Sequence, residues 1–154
     1  MRIYLVVMDE SKEAQAALRF ASVRARETGG SVHILALVEP QSFSAFGGVQ
    51  ATIENEARER AEVMANAAAG NIFTDSGKMP TIAVRPGKPQ EVIRKYLEEH
   101  GAIAALVLGA KSEGGPGPLV THFASASGAM PCPLYIIPGS LDQAQLDLLA
   151  TEGE

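Results

Sequence analysis

Two kinds of hydrophobic pattern alternate along this chain. The first is a short unbroken run, as in Ile3-Tyr4-Leu5-Val6-Val7-Met8, Val32 to Val38, Thr81-Ile82-Ala83-Val84, Ala102 to Leu108 and Pro133 to Ile137. Runs of this length without polar alternation suit strands buried on both faces, so five strands are predicted. The second kind repeats at three and four residues. Ala14, Ala17, Leu18, Ala21 and Ala25 form one such stripe, closed by Gly29-Gly30. Ser11 is placed to cap its start and Glu13 to favour its positive end. Ile53, Ala57, Ala61, Met64 and Ala68 form a second stripe within a helix from about Val49 to Ala69, with Glu54–Arg58 and Glu56–Arg60 as pairs on its wet face. Pro89 opens a third helix whose inner face is Val92, Ile93, Tyr96 and Leu97; His100 favours its negative end and Gly101 stops it. A short helix of small residues is expected over Thr121 to Ala129.

Strand and helix alternate throughout, and crossovers between parallel strands are right-handed. The reading is therefore an α/β domain with a doubly wound parallel sheet and helices on both faces. Gln41 to Gly48, with Phe43 and Phe46, reads as a mobile loop, and Asn71 to Met79 as irregular chain anchored by Ile72 and Phe73. The tail from Ser140 carries Leu141, Leu146, Leu148 and Leu149, which suit either a short terminal helix or a frayed end.

Composition narrows the partners. A net charge of -5 argues against a nucleic-acid surface, which needs a basic patch. No run is long enough to span a bilayer, and Met1 leads straight into a strand, so the expected location is the cytoplasm. The single Cys132, between Pro131 and Pro133, supplies neither an internal disulfide nor a metal-ligand pair.

In an open parallel sheet ligands bind beyond the carboxyl ends of the strands, where strand order reverses. The residues that follow those ends here are Asp9, Glu39, Arg85 and Gly109-Ala110-Lys111-Ser112. Asp9 suits an acceptor for adenine or ribose and equally a helix-start carboxylate. Gly109 suits close approach of a ligand to the backbone and equally a turn. Lys111 suits a phosphate, and Thr121 an N-cap or an anion site. Gly109 to Ser112 looks like the end of a P-loop, but the earlier glycine is missing, position 104 being Ala104. His33 reads as a satisfied core or edge histidine, and His122 has no acid or nucleophile beside it in sequence. No catalytic set assembles and no metal site is expected.

Taken together, Val6-Val7-Met8-Asp9-Glu10-Ser11, Leu37-Val38-Glu39-Pro40, Arg85-Pro86-Gly87-Lys88-Pro89, Leu106-Val107-Leu108-Gly109 and Met130-Pro131-Cys132-Pro133-Leu134 resemble the universal stress protein family, in family order, from Met1 to Pro138. The resemblance implies a five-stranded sheet of order 3-2-1-4-5 over residues 1–138, with 139–154 as a separate tail. It implies a homodimer through Pro133, Leu134, Tyr135, Ile136 and Ile137. It also implies an adenine nucleotide, ATP or AMP, with Mg2+ only if ATP is bound. Met8, Asp9 and Val38 would then hold the adenosine end, and Gly109, Lys111, Ser112, Val120 and Thr121 would surround the phosphates. Nucleotide-binding members look like G-x2-G-x9-G-[S/T] after strand four. Here Gly109 is the first glycine, Ser112 takes the place of the second, and Val120-Thr121 take the place of the final pair, with the second span two residues short. The expectation is a binding or signalling module in stress response with a degenerate phosphate motif. The alternatives are a dimeric interaction protein of the same fold that has lost nucleotide, or an enzyme on nucleotide phosphates assisted by Lys111 or His122.

Overall fold

The strand Ile3–Met8 (β1) carries Tyr4, Val6 and Met8 on one face and Leu5 and Val7 on the other, all buried. A strand so apolar on both faces belongs in the middle of a sheet covered by helices on each side. That is its place in the computed structural model, which describes residues 2–38 and 47–151, with the backbone alone at 47–52. Beside β1 lie Ser31–Val38 (β2), Thr81–Pro86 (β3), Ile103–Ala110 (β4) and Leu134–Pro138 (β5). All pairings are parallel and the order is β3-β2-β1-β4-β5. Register runs Met8↔Ala36 on one side of β1 and Val6↔Val107 on the other, so the order reverses between β1 and β4.

One face is covered by Lys12–Thr28 (α1), Gly47–Ser76 (α2) and Gln143–Thr151 (α5), the other by Pro89–Glu99 (α3) and Pro118–Ser125 (α4). The expected Ser11 cap is present: its hydroxyl accepts from the Ala14 N–H at 3.1 Å. Alanines dominate the buried side of α1 because only short side chains let a helix axis lie close over a sheet.

Several boundaries differ from the sequence reading. The second helix does not stop at Ala69 but continues to Ser76, where Gly77 in a left-handed conformation ends it. The polar residues Thr74 and Ser76 turn their hydroxyls back onto the carbonyls of Gly70 and Ile72, so they extend the helix rather than break it. Ile72 is buried and does anchor this turn; Phe73 is 48% exposed and does not. Among the described residues Glu56 and Arg60 form no ion pair, with each other or elsewhere. The fourth strand runs on through Gly109 to Ala110, because β5 still offers Ile137 and Pro138 as partners. The helix expected over Thr121 to Ala129 starts earlier, with Pro118 at its first position, and ends at Ser125 before a single 3-10 turn. The tail takes the helical alternative as α5. Glu39, Phe43 and Phe46 lie outside the described residues.

The α3 face holds a polar cluster against the sheet. His33 Nδ1 lies 2.7 Å from the Tyr96 hydroxyl, and the His100 ring stacks on Tyr96 with centroids 4.0 Å apart. Burial pushes the His33 imidazole below its ordinary range, and His100 adds to the effect. The folded chain then binds fewer protons than the unfolded chain between that lowered value and about 6.5. Stability from this cluster is therefore present above about pH 6.5 and lost as pH falls through that window. Thermal melts at pH 7.5 and 5.5 should show a lower midpoint at the acid end, and His33→Asn should flatten the difference. An unchanged pH dependence in that variant would show that another group carries it.

Candidate functional site

The first turn of α1 is held against the ends of β4 and β5 by two glycines. A Cβ at Gly109 would run into the backbone carbonyl of Glu13. One at Gly139 would stand 2.8 Å from the Ala110 carbonyl and 2.9 Å from the Glu13 Cβ. Gly109 thus serves the close approach of a helix rather than a turn, since it sits inside β4. The consequence for the site is that α1 starts directly beside the β1/β4 reversal, with Asp9 at its lip.

Asp9 is exposed, and its Oδ1 accepts from the Ser11 N–H at 2.7 Å. The helix-start role is therefore realised by one carboxylate oxygen, while Oδ2 has no hydrogen-bond partner among the described residues. Two cavities meet at this side chain. One, about 280 Å³, lies toward α2; Met8 and Leu37 from the sheet face Ala57, Ala61 and Met64 from the helix. The other, about 90 Å³, lies toward α4 and includes Gly109, Lys111, Gly117 and Val120.

The loop from Lys111 to Gly117 is closed by a bond from the Lys111 N–H to the Pro116 carbonyl at 3.2 Å. Gly114, Gly115 and Gly117 adopt φ of 74°, 85° and 103°, values that only glycine takes without strain. The loop thus carries its glycines at new positions rather than at 112 and 120.

Of the residues named from sequence, Asp9 joins Met8 in the larger cavity and Gly109, Lys111 and Val120 in the smaller. Val38 is buried under the α2 face, and its carbonyl accepts from the Gly87 N–H at 3.1 Å. Ser112 and Thr121 are exposed and line neither cavity. Thr121 is not the N-cap, because Gly117 is; its hydroxyl donates to the Gly117 carbonyl at 2.9 Å, one turn into α4. Val120 faces α3 and the sheet, 4% exposed, as part of the core on that side. Arg85 turns away from the crevice, its guanidinium 5.0 Å from the Tyr96 ring centroid and 3.0 Å from Glu99. His122 is exposed, with its ring against Phe123. Arg60 of α2, expected from sequence on the wet face, lines the larger cavity with Asp9. Only the packing of α2 over the strand ends reveals that.

A five-stranded parallel sheet that reverses its order between β1 and β4, with helices on both faces, defines a doubly wound α/β protein. The particular family follows from comparison. Residues 1–138 match the model of the universal stress protein family, and the chain belongs to that family. No curated protein sequence matches it. Among solved structures it is similar to universal stress protein UspA from Lactobacillus plantarum, at 22% identity over 88% of this chain and 97% of that one, with a TM-score of 0.78. It is also similar to a universal stress protein family member from Arabidopsis thaliana with AMP bound, at 17% identity over 94% and 99%, TM-score 0.62. A third is the universal stress protein from Archaeoglobus fulgidus in complex with dAMP, at 19% identity over 89% and 97%, TM-score 0.55.

Proposed function

We propose that this protein is a cytoplasmic stress-response module that binds an adenine nucleotide, with AMP favoured over ATP. The observation that carries the reading is the junction of the two cavities at Asp9. The larger, about 280 Å³, has an apolar wall of Met8, Leu37, Ala57, Ala61 and Met64 beside the charged Asp9, Glu10 and Arg60, and suits a base. The smaller, about 90 Å³, sets Lys111 against Asp9 and Glu13, and its size and single cation suit one phosphate better than three. Solved structures of the same fold hold AMP and dAMP, which supports adenine as the base. Mg2+ would accompany ATP alone. A second copy of the chain would pair along β5, an edge strand on which Ile136 is 41% exposed.

A specific observation also favours the rival reading, a dimeric interaction protein without nucleotide. The apolar Val120 closes one wall of the small cavity. Calorimetric titration with AMP and with Mg2+·ATP separates the two, with light scattering on the same samples giving the oligomeric state. AMP should bind with Kd below about 1 mM. At a hundredfold excess over Kd it should add about 2.7 kcal/mol of stability and raise the melting point accordingly. No heat and no shift at millimolar AMP or ATP would leave the interaction reading in possession. A monomer at high concentration would remove the β5 pairing.

A further inference from the structure

The α2 side of the crevice contains a cation that the strand-end motifs do not account for. Arg60 is exposed, forms no ion pair or hydrogen bond among the described residues, and lines the 280 Å³ cavity together with Asp9. It also lines the adjoining groove of about 520 Å³, where Glu10, Glu56 and Glu59 are its neighbours. The two spaces share Glu10, Arg60 and Met64, so Arg60 stands at the rim where one opens into the other.

From these positions we infer that Arg60 is a base-recognition residue, its guanidinium plane closing over a purine seated between the ends of β1 and β2 and the helix α2. The inference rests on the nucleotide reading and adds to it a contact from α2. Three features point to the base rather than to a phosphate. Besides Arg60, the cavity is lined by Met8, Leu37, Ala57, Ala61 and Met64, which suit an aromatic ring, and by Asp9 and Glu10, which repel an anion. Three carboxylates beside Arg60 would repel a phosphate brought to that rim. Lys111, at the other cavity, is separate from this group. A guanidinium is planar and weakly hydrated, and it stacks on aromatic faces in a way an ammonium does not. Ala57 and Ala61, one turn apart on the same helix face, are short enough to leave the ring room.

The test titrates the wild type, Arg60→Ala and Arg60→Lys with adenosine, AMP and inorganic phosphate. Arg60→Ala should weaken adenosine and AMP by the same factor, about 3- to 30-fold, and leave any phosphate binding unchanged. Arg60→Lys should resemble the alanine variant, because it keeps the charge and loses the plane. In the wild type, adenosine should move the Arg60 side-chain δ proton resonances upfield through the ring current. Melting points of the three proteins should agree within about 2 °C, as befits an exposed side chain. A loss confined to AMP would place Arg60 at the phosphate and overturn the inference, as would unchanged affinity in Arg60→Ala. A wild type that binds neither adenosine nor AMP overturns the nucleotide reading itself, and this contact with it.

Discussion

Replacing Gly109 with alanine is expected to lower the melting temperature by about 6–12 °C, the largest effect of any single added methyl in this crevice. The new Cβ would meet the carbonyl carbon and oxygen of Glu13, which are backbone atoms and have no rotamer by which to move aside. Relief requires the first turn of α1 to lift from β4. Gly139 pins that same turn from the other side, so the displacement would spread to the Ala110–Gly139 bond as well. Overpacking of this kind costs about 3 kcal/mol, and each kcal/mol moves the midpoint by about 2–4 °C in a chain of this length. Gly128→Ala is the matched control, since a Cβ there meets nothing within 4 Å and its φ is not positive. That variant should melt within about 2 °C of the wild type. Equal midpoints for the two variants would refute the packing account of Gly109.

Truncation of Leu146 to alanine should cost about 2–3 kcal/mol, although this residue lies beyond the part of the chain that matches the family. Leu146 is 3% exposed and joins the core on the α1 face, with Phe20, Tyr135 and Leu141 packed against that core. Leu148 and Leu149 on the same helix are 55% and 54% exposed, and Leu148→Ala should change stability by no more than about 0.5 kcal/mol. The contrast can be read from urea midpoints of the two variants. Arg19 also ties α5 to the body. Its Nε and Nη2 donate to the Asp147 carboxylate at 2.7 and 2.9 Å, and its Nη1 to Asp75 at 2.9 Å. The Asp147 carboxyl is held below its usual range by Arg19. All three side chains keep substantial contact with solvent, so this network adds about 1 kcal/mol, less than Leu146 contributes. Similar midpoints for Leu146→Ala and Leu148→Ala would mean that α5 is not part of the cooperative unit.

Much of the fold was legible because each strand is a run apolar on both faces, and each helix shows its stripe. β1 and α1 illustrate this: an unbroken apolar run to Met8, then Ser11 as cap and Gly29 as stop, were all readable in order. The errors lie where local signals were weak against tertiary ones. Thr74 and Ser76 read as loop residues, and they satisfy themselves on the preceding turn instead because Ile72 holds that turn on the sheet. Thr121 read as a cap, but the preceding Gly117-Pro118 starts the helix.

The sequence by itself determined the parallel α/β architecture, the family and the crevice beside Asp9 and Gly109. The architecture rests on hydrophobic periodicity and short-range turn chemistry, which act between residues close in the chain; the family, and with it the strand order that sets Asp9 beside Gly109, rests on the resemblance of the strand-end motifs. Only the tertiary structure decided what fills the crevice. It drew Arg85 away to Tyr96 and Glu99, left Ser112 and Thr121 facing solvent, and brought Arg60 of α2 to the cavity of Asp9. The reason is that a side chain's surroundings are set by the packing of elements far apart in sequence. Arg60 and Asp9 share a cavity because α2 lies across the ends of β1 and β2, a placement that no spacing within either segment encodes.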